Sequence, residues 1–107
     1  MKFIITESKL HKAALHWMNK NYNPDQLEVV EYTNTFRYRK NNKTIMITTN
    51  QPNYFYVSYE SIWSFLNVFF LMDDFEIRDF LNMWFKKSFQ ELGLYRFEGF
   101  FYEDEFA

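Results

Sequence analysis

The chain has 107 residues, of which 23% are aromatic, with no cysteine and a net charge of −2. This length suits one domain with one core. The lack of cysteine excludes disulfides, thiolate metal ligands and a cysteine nucleophile. The longest apolar stretch, Ile62 to Met72, contains Ser64 and Asn67 and falls short of the roughly 20 residues that span a bilayer.

A short strand is expected at Lys2–Ile5, with Thr6 capping a helix from Glu7 to Asn21. Leu10, Ala14, Trp17 and Asn21 share one face of that helix, broadened by Ala13 and Met18. Asn23-Pro24-Asp25 breaks it. A β-meander follows: Leu27–Tyr32, a turn at Thr33-Asn34, then Phe36–Lys40. Asn41-Asn42 suits a two-residue hairpin turn, because asparagine tolerates positive φ. Centring the hairpin there pairs Lys40 with Lys43, Tyr38 with Ile45 and Phe36 with Ile47. Phe36, Tyr38, Ile45 and Ile47 then share one face, with Arg37, Arg39, Thr44 and Met46 on the other. After a turn at Asn50–Asn53, Tyr54–Ser58 forms a further strand.

Two helices are expected next. Ser58 or Ser61 caps the first, whose segment Ile62–Leu71 is apolar nearly all round and so should be buried on several sides. Asp73 and Glu76 have capping-box spacing for the second, which is expected to run to about Leu92, with Gly93 ending it. Ile77, Phe80, Leu81 and Trp84 mark its apolar face. The segment at about 94–107 reads as an acidic, aromatic tail able to add an edge strand. The expected fold class is α+β in a single domain spanning 1–107. It has an N-terminal helix, an antiparallel meander of three to four strands, and two C-terminal helices packed on one sheet face.

The sequence points away from catalysis. His11 and His16 are five apart on a helix, about 140° around its axis, and cannot share a metal. Asp73, Asp74, Glu76 and Asp79 are the densest carboxylates, but acids in a first helical turn serve as caps and oppose the dipole. There is no glycine-rich phosphate loop, serine triad spacing or metal motif, so no catalytic, cofactor or metal residue is assigned and no small-molecule substrate is expected.

Charge is polarised. Residues 1–43 hold eight Lys/Arg against four Asp/Glu, and residues 44–107 hold four against ten. Arg37, Arg39, Lys40 and Lys43 crowd one hairpin and are candidate contacts for an anionic partner or nucleic acid. Phe101, Tyr102, Glu103, Asp104, Glu105 and Phe106 form a candidate partner-docking tail, unless the aromatics fold it back on its own domain.

The opening Ile4-Ile5-Thr6-Glu7-Ser8-Lys9-Leu10 resembles the start of many small uncharacterised proteins of tailed phages. The element order is similar to that of some small acidic anti-CRISPR proteins, which block a nuclease by occupying its DNA site, although the basic hairpin departs from their uniformly acidic surface. The resemblance implies a phage-encoded protein of the host cytoplasm or the virion. The missing catalytic set, the polarised charge and more large apolar side chains than one small core readily hides carry the functional expectation. It is non-enzymatic protein interaction, with a protein partner or self-association, no membrane and no cofactor. Nucleic-acid binding through hairpin 36–43 is the alternative.

Overall fold

A computed structural model describes residues 7–106; the expected strand at Lys2–Ile5 and the Thr6 cap lie outside them. The element order is α1 (Glu7–Asn21), β1 (Glu28–Tyr32), β2 (Thr35–Lys40), β3 (Lys43–Thr49), β4 (Tyr54–Ser58), α2 (Ser64–Val68), α3 (Asp74–Ser88) and β5 (Arg96–Phe101). The protein is α+β, with a five-stranded mixed sheet in the order β1-β2-β3-β4-β5. The first four strands form an antiparallel meander, and β5 returns after α2 and α3 to lie parallel to β4. The expected three to four antiparallel strands are thus extended by a parallel edge.

The turns follow from asparagine. Asn34, Asn41 and Asn42 adopt φ of 62°, 52° and 65°, the left-handed values that two-residue hairpin turns require. Lys40 pairs with Lys43 across the Asn41-Asn42 turn. A bulge then intervenes: Arg39 faces Thr44, whereas Tyr38 faces Met46, so Ile45 is the extra residue. Beyond it the register moves by one, correcting the expected face. Phe36 and Tyr38 pair with Thr48 and Met46, while Ile47 pairs with Arg37 on the opposite side.

The face carrying Tyr38, Met46, Phe55 and Phe97 holds the core. Phe55 stacks on Phe85 of α3 with ring centroids 4.3 Å apart, and Phe85 stacks on Phe89 at 4.6 Å. Tyr38 meets Phe89 edge-on and Trp63 stacks on Phe97. Helix α1 contributes Ala14 and Met18, both fully buried, while Ala13 turns to solvent. Helix α3 buries Ile77, Phe80, Leu81, Trp84 and Phe85, the stripe that its periodicity predicts.

Asp73 caps α3 in a reciprocal box: its carboxylate accepts from the Glu76 N–H at 2.8 Å, and the Asp73 N–H donates to Glu76 Oε1 at 3.4 Å. The helix stops at Ser88, earlier than expected. A 3₁₀ turn at Gln90–Leu92 follows, and Gly93 at φ 92° ends that turn instead.

Candidate functional site

The segment expected to be a buried helix over Ile62–Leu71 divides in two. Ser58 accepts from the Ser61 N–H at 3.1 Å and starts a π turn at Tyr59–Trp63, which leads into the short α2. The wider π turn aims Ile62, Trp63 and Leu66 at the core. Most of the rest of the run is left outside, although Phe70 packs back against Trp17 and the core. Val68 is 63% exposed, Phe69 67%, Leu71 70% and Phe75, at the start of α3, 80%; Phe65 adds a further 36%. Its rings are ordered among themselves: Phe65 stacks on Phe69 at 4.9 Å and on Trp17 of α1 at 5.0 Å. The result is an apolar ridge running from α2 through the α2–α3 connection into α3.

The backbone under the ridge is strained. Leu71 has φ 55°, a conformation that glycine ordinarily supplies at a helix end. The Asn67 side chain holds the bend by donating to the Met72 carbonyl at 2.9 Å, which buries Met72 and leaves Leu71 outside. A bulky apolar residue is thus held in a costly conformation and presented to solvent. Asp73 and Asp74 border the ridge.

The four basic hairpin residues are not brought together. Arg37 lies over the Tyr32 ring at 4.2 Å. Arg39 donates to the Asn42 carbonyl at 2.9 Å, within its own turn. Lys40 reaches the other side of the strand, where it donates to the Asn21 carbonyl and sits over the Tyr22 ring. Lys43 is exposed. The companions of Arg37 come from other strands: Ile47 is its neighbour on β3, and Ile47 in turn faces Tyr56. The period-two alternation of Val30, Tyr32, Tyr54 and Tyr56 could have placed those tyrosines there.

The tail begins on its own domain. Phe101 ends β5, 6% exposed, and Tyr102 lies against Tyr59 and Phe100. Glu103 is held at three points: its carboxylate accepts from Ser58 Oγ at 2.8 Å and from Ser61 Oγ, and its N–H donates to Glu60 Oε2 at 3.0 Å. Asp104 and Glu105 are exposed, and the Phe106 side chain lies outside the described set.

His11 is half-buried, its Nε2 3.8 Å from Glu76 Oε2 and its ring edge-on to Phe80. Among the described residues no helix is long and apolar enough to cross a membrane.

Two buried phenols titrate above the ordinary tyrosine range. Burial raises Tyr22, whose hydroxyl donates to the Ser61 carbonyl at 3.1 Å, and the nearby Glu103 charge adds to the rise. Burial also raises Tyr38, with the neighbouring Thr48 hydroxyl opposing part of the shift. For a phenol whose folded pKa exceeds its unfolded value of 10.0, the folded state keeps its proton longer. The stability this represents is whole below pH 10 and is lost as pH rises from there through the folded pKa. Urea midpoints measured from pH 8 to 12 are expected to fall above pH 10, and Tyr38→Phe is expected to flatten that fall. An unchanged slope in Tyr38→Phe would contradict this.

Compared with known protein families, curated proteins and solved structures, the chain matches none.

Proposed function

We propose that the protein is a non-enzymatic interaction protein that docks a protein partner on the ridge Phe65–Phe75, as a tailed-phage virion component or host-directed accessory factor. The ridge carries the reading. Isolated exposed apolar residues are ordinary, but five large ones within eleven residues, with Phe65 and Phe69 stacked on each other, form the kind of patch that marks an interface. The left-handed Leu71 adds to this: strain is retained where a surface is used. The bordering Asp73 and Asp74 favour a partner with basic groups around an apolar centre.

The ridge can be emptied without touching the core. Phe69→Ser with Phe75→Ser is expected to keep the melting temperature of the parent, since exposed positions away from special features change stability by only about 0.5 kcal/mol. It should abolish partner capture from host lysate and virion fractions, and any apparent mass above 13.3 kDa in sedimentation. Leu71→Gly provides a second arm, expected to raise stability by about 0.5–1 kcal/mol by relieving the left-handed strain. The same change should weaken capture. A wild-type protein that stays at 13.3 kDa and captures nothing, or capture that survives the double substitution, would overturn the proposal.

A further inference from the structure

A cleft of about 550 Å³ lies at the other end of α3 from the ridge, between the β1–β2 hairpin and the segment Lys87–Leu92. Helix α3 has 15 residues, so about 20 Å separates the two features. The volume falls in the range of small-molecule sites, roughly 300–1,000 Å³. One side of it is built of rings, Phe36, Tyr38, Phe89 and Tyr95, with Val29 and Leu92 at the rim, and the rest is mainly polar.

Polar groups converge within it. Thr48 lines the cleft, is fully buried, and its hydroxyl has no hydrogen-bond partner. It lies close enough to the Tyr38 phenol to oppose the rise of its pKa, but the two hydroxyls stay short of a well-formed hydrogen bond. The Tyr95 phenol already donates to Asn50 Oδ1 at 2.6 Å and retains only its acceptor side. A buried hydroxyl left unpaired is costly, and native proteins keep few. The charges lining the cleft, Asp25 and Glu91 against Lys87, sum to −1 and disfavour an anion.

We propose that this cleft binds a neutral, flat aromatic small molecule of two or three fused rings carrying one hydroxyl or ring N–H. The rings lie among Phe36, Phe89 and Tyr95. The polar group bonds the Tyr38 phenol, and Tyr38 thereby aligns with Thr48 and satisfies the unpaired hydroxyl. Rings are favoured over a flexible chain because ring walls stack with rings and a rigid ligand loses less entropy on binding. This site is independent of the ridge and of any partner docked there. It also goes beyond the expectation from sequence, which foresaw no small-molecule substrate.

The probes are 2-naphthol and naphthalene, which differ by one hydroxyl. Each is titrated into the full chain with amide and methyl NMR shifts as readout. Saturable binding of 2-naphthol is expected, with shifts at Val29, Thr48 and Leu92 and none at Phe69 or Phe75. Naphthalene is expected to bind about tenfold more weakly, the equivalent of one hydrogen bond of about 1.4 kcal/mol. Tyr38→Phe keeps the core ring and should erase the difference between the probes. Val29→Trp, at the exposed rim, should exclude both while leaving the melting temperature unchanged. No saturable binding of 2-naphthol, shifts that map to the ridge, or an unchanged probe ratio in Tyr38→Phe would each overturn the proposal.

Discussion

Phe85→Ala is expected to remove about 3–5 kcal/mol of stability, the usual cost of deleting a fully buried phenylalanine from a core that cannot collapse around the gap. Phe85 is 0% exposed and central to the aromatic stack, with Phe55 at 4.3 Å, Phe89 at 4.6 Å and Tyr95 at 5.5 Å. It joins α3 to β4 and to the segment after the helix, so no single element can move to fill the space. A domain of this kind has about 5–15 kcal/mol in total. The variant should therefore show a clearly lower urea midpoint, or no cooperative transition where the parental stability lies at the low end of that range. Phe85→Leu, which keeps most of the volume, should lose much less. A midpoint for Phe85→Ala within error of the parent would mean that the stack does not organise the core.

Glu103→Ala is expected to cost about 1–3 kcal/mol, because it removes the shorter bond donated by the buried Ser58 hydroxyl and leaves its O–H only the long contact to Glu60 Oε2 at 3.4 Å. The loss should couple to the neighbouring serine. In a double-mutant cycle, Ser61→Ala in the Glu103→Ala background should cost less than Ser61→Ala alone, since both groups belong to one network. Limited proteolysis gives a second readout. Chymotrypsin should cut after Tyr102 in Glu103→Ala at protease levels that leave the parent intact, because the residue is no longer pinned to the β4–π turn junction. Equal resistance in both proteins would show that the tail is held without the Glu103 carboxylate.

What could be read from the sequence was local. Helix α1 over Glu7–Asn21 follows from its periodicity and the Asn23-Pro24 stop, the hairpin turn from Asn41-Asn42, and the α3 cap from Asp73 and Glu76. These signals act within a few residues and survive any tertiary arrangement. The bulge at Ile45 carried no such mark: neither glycine nor proline flags it, and a one-residue slip reverses every side chain beyond it. The parallel pairing of β5 with β4 was equally hidden, because it joins segments separated by the whole of α2 and α3.

The ridge was half legible. Ile62–Leu71 is apolar all round, and composition implied more large apolar side chains than one small core conceals. Which of them stay outside depends on the π turn and on Leu71 adopting positive φ, neither of which periodicity encodes. Tyr32, the ring that Arg37 covers, was hidden for a related reason. The turn and the alternation mark the hairpin alone, while the sheet assembles one face from neighbours on several strands.

The placement of β5 bears on how the chain matures during synthesis. Strands β1 to β4 each find their partner next door and can zip as they leave the ribosome. The outer edge of β4 must wait until both later helices and then β5 have emerged. In that interval Phe55 and Trp63 lack the ring of Phe97. A β5 strand from a second nascent copy meets the same waiting edge, so crowded translation favours exchange of this strand between molecules.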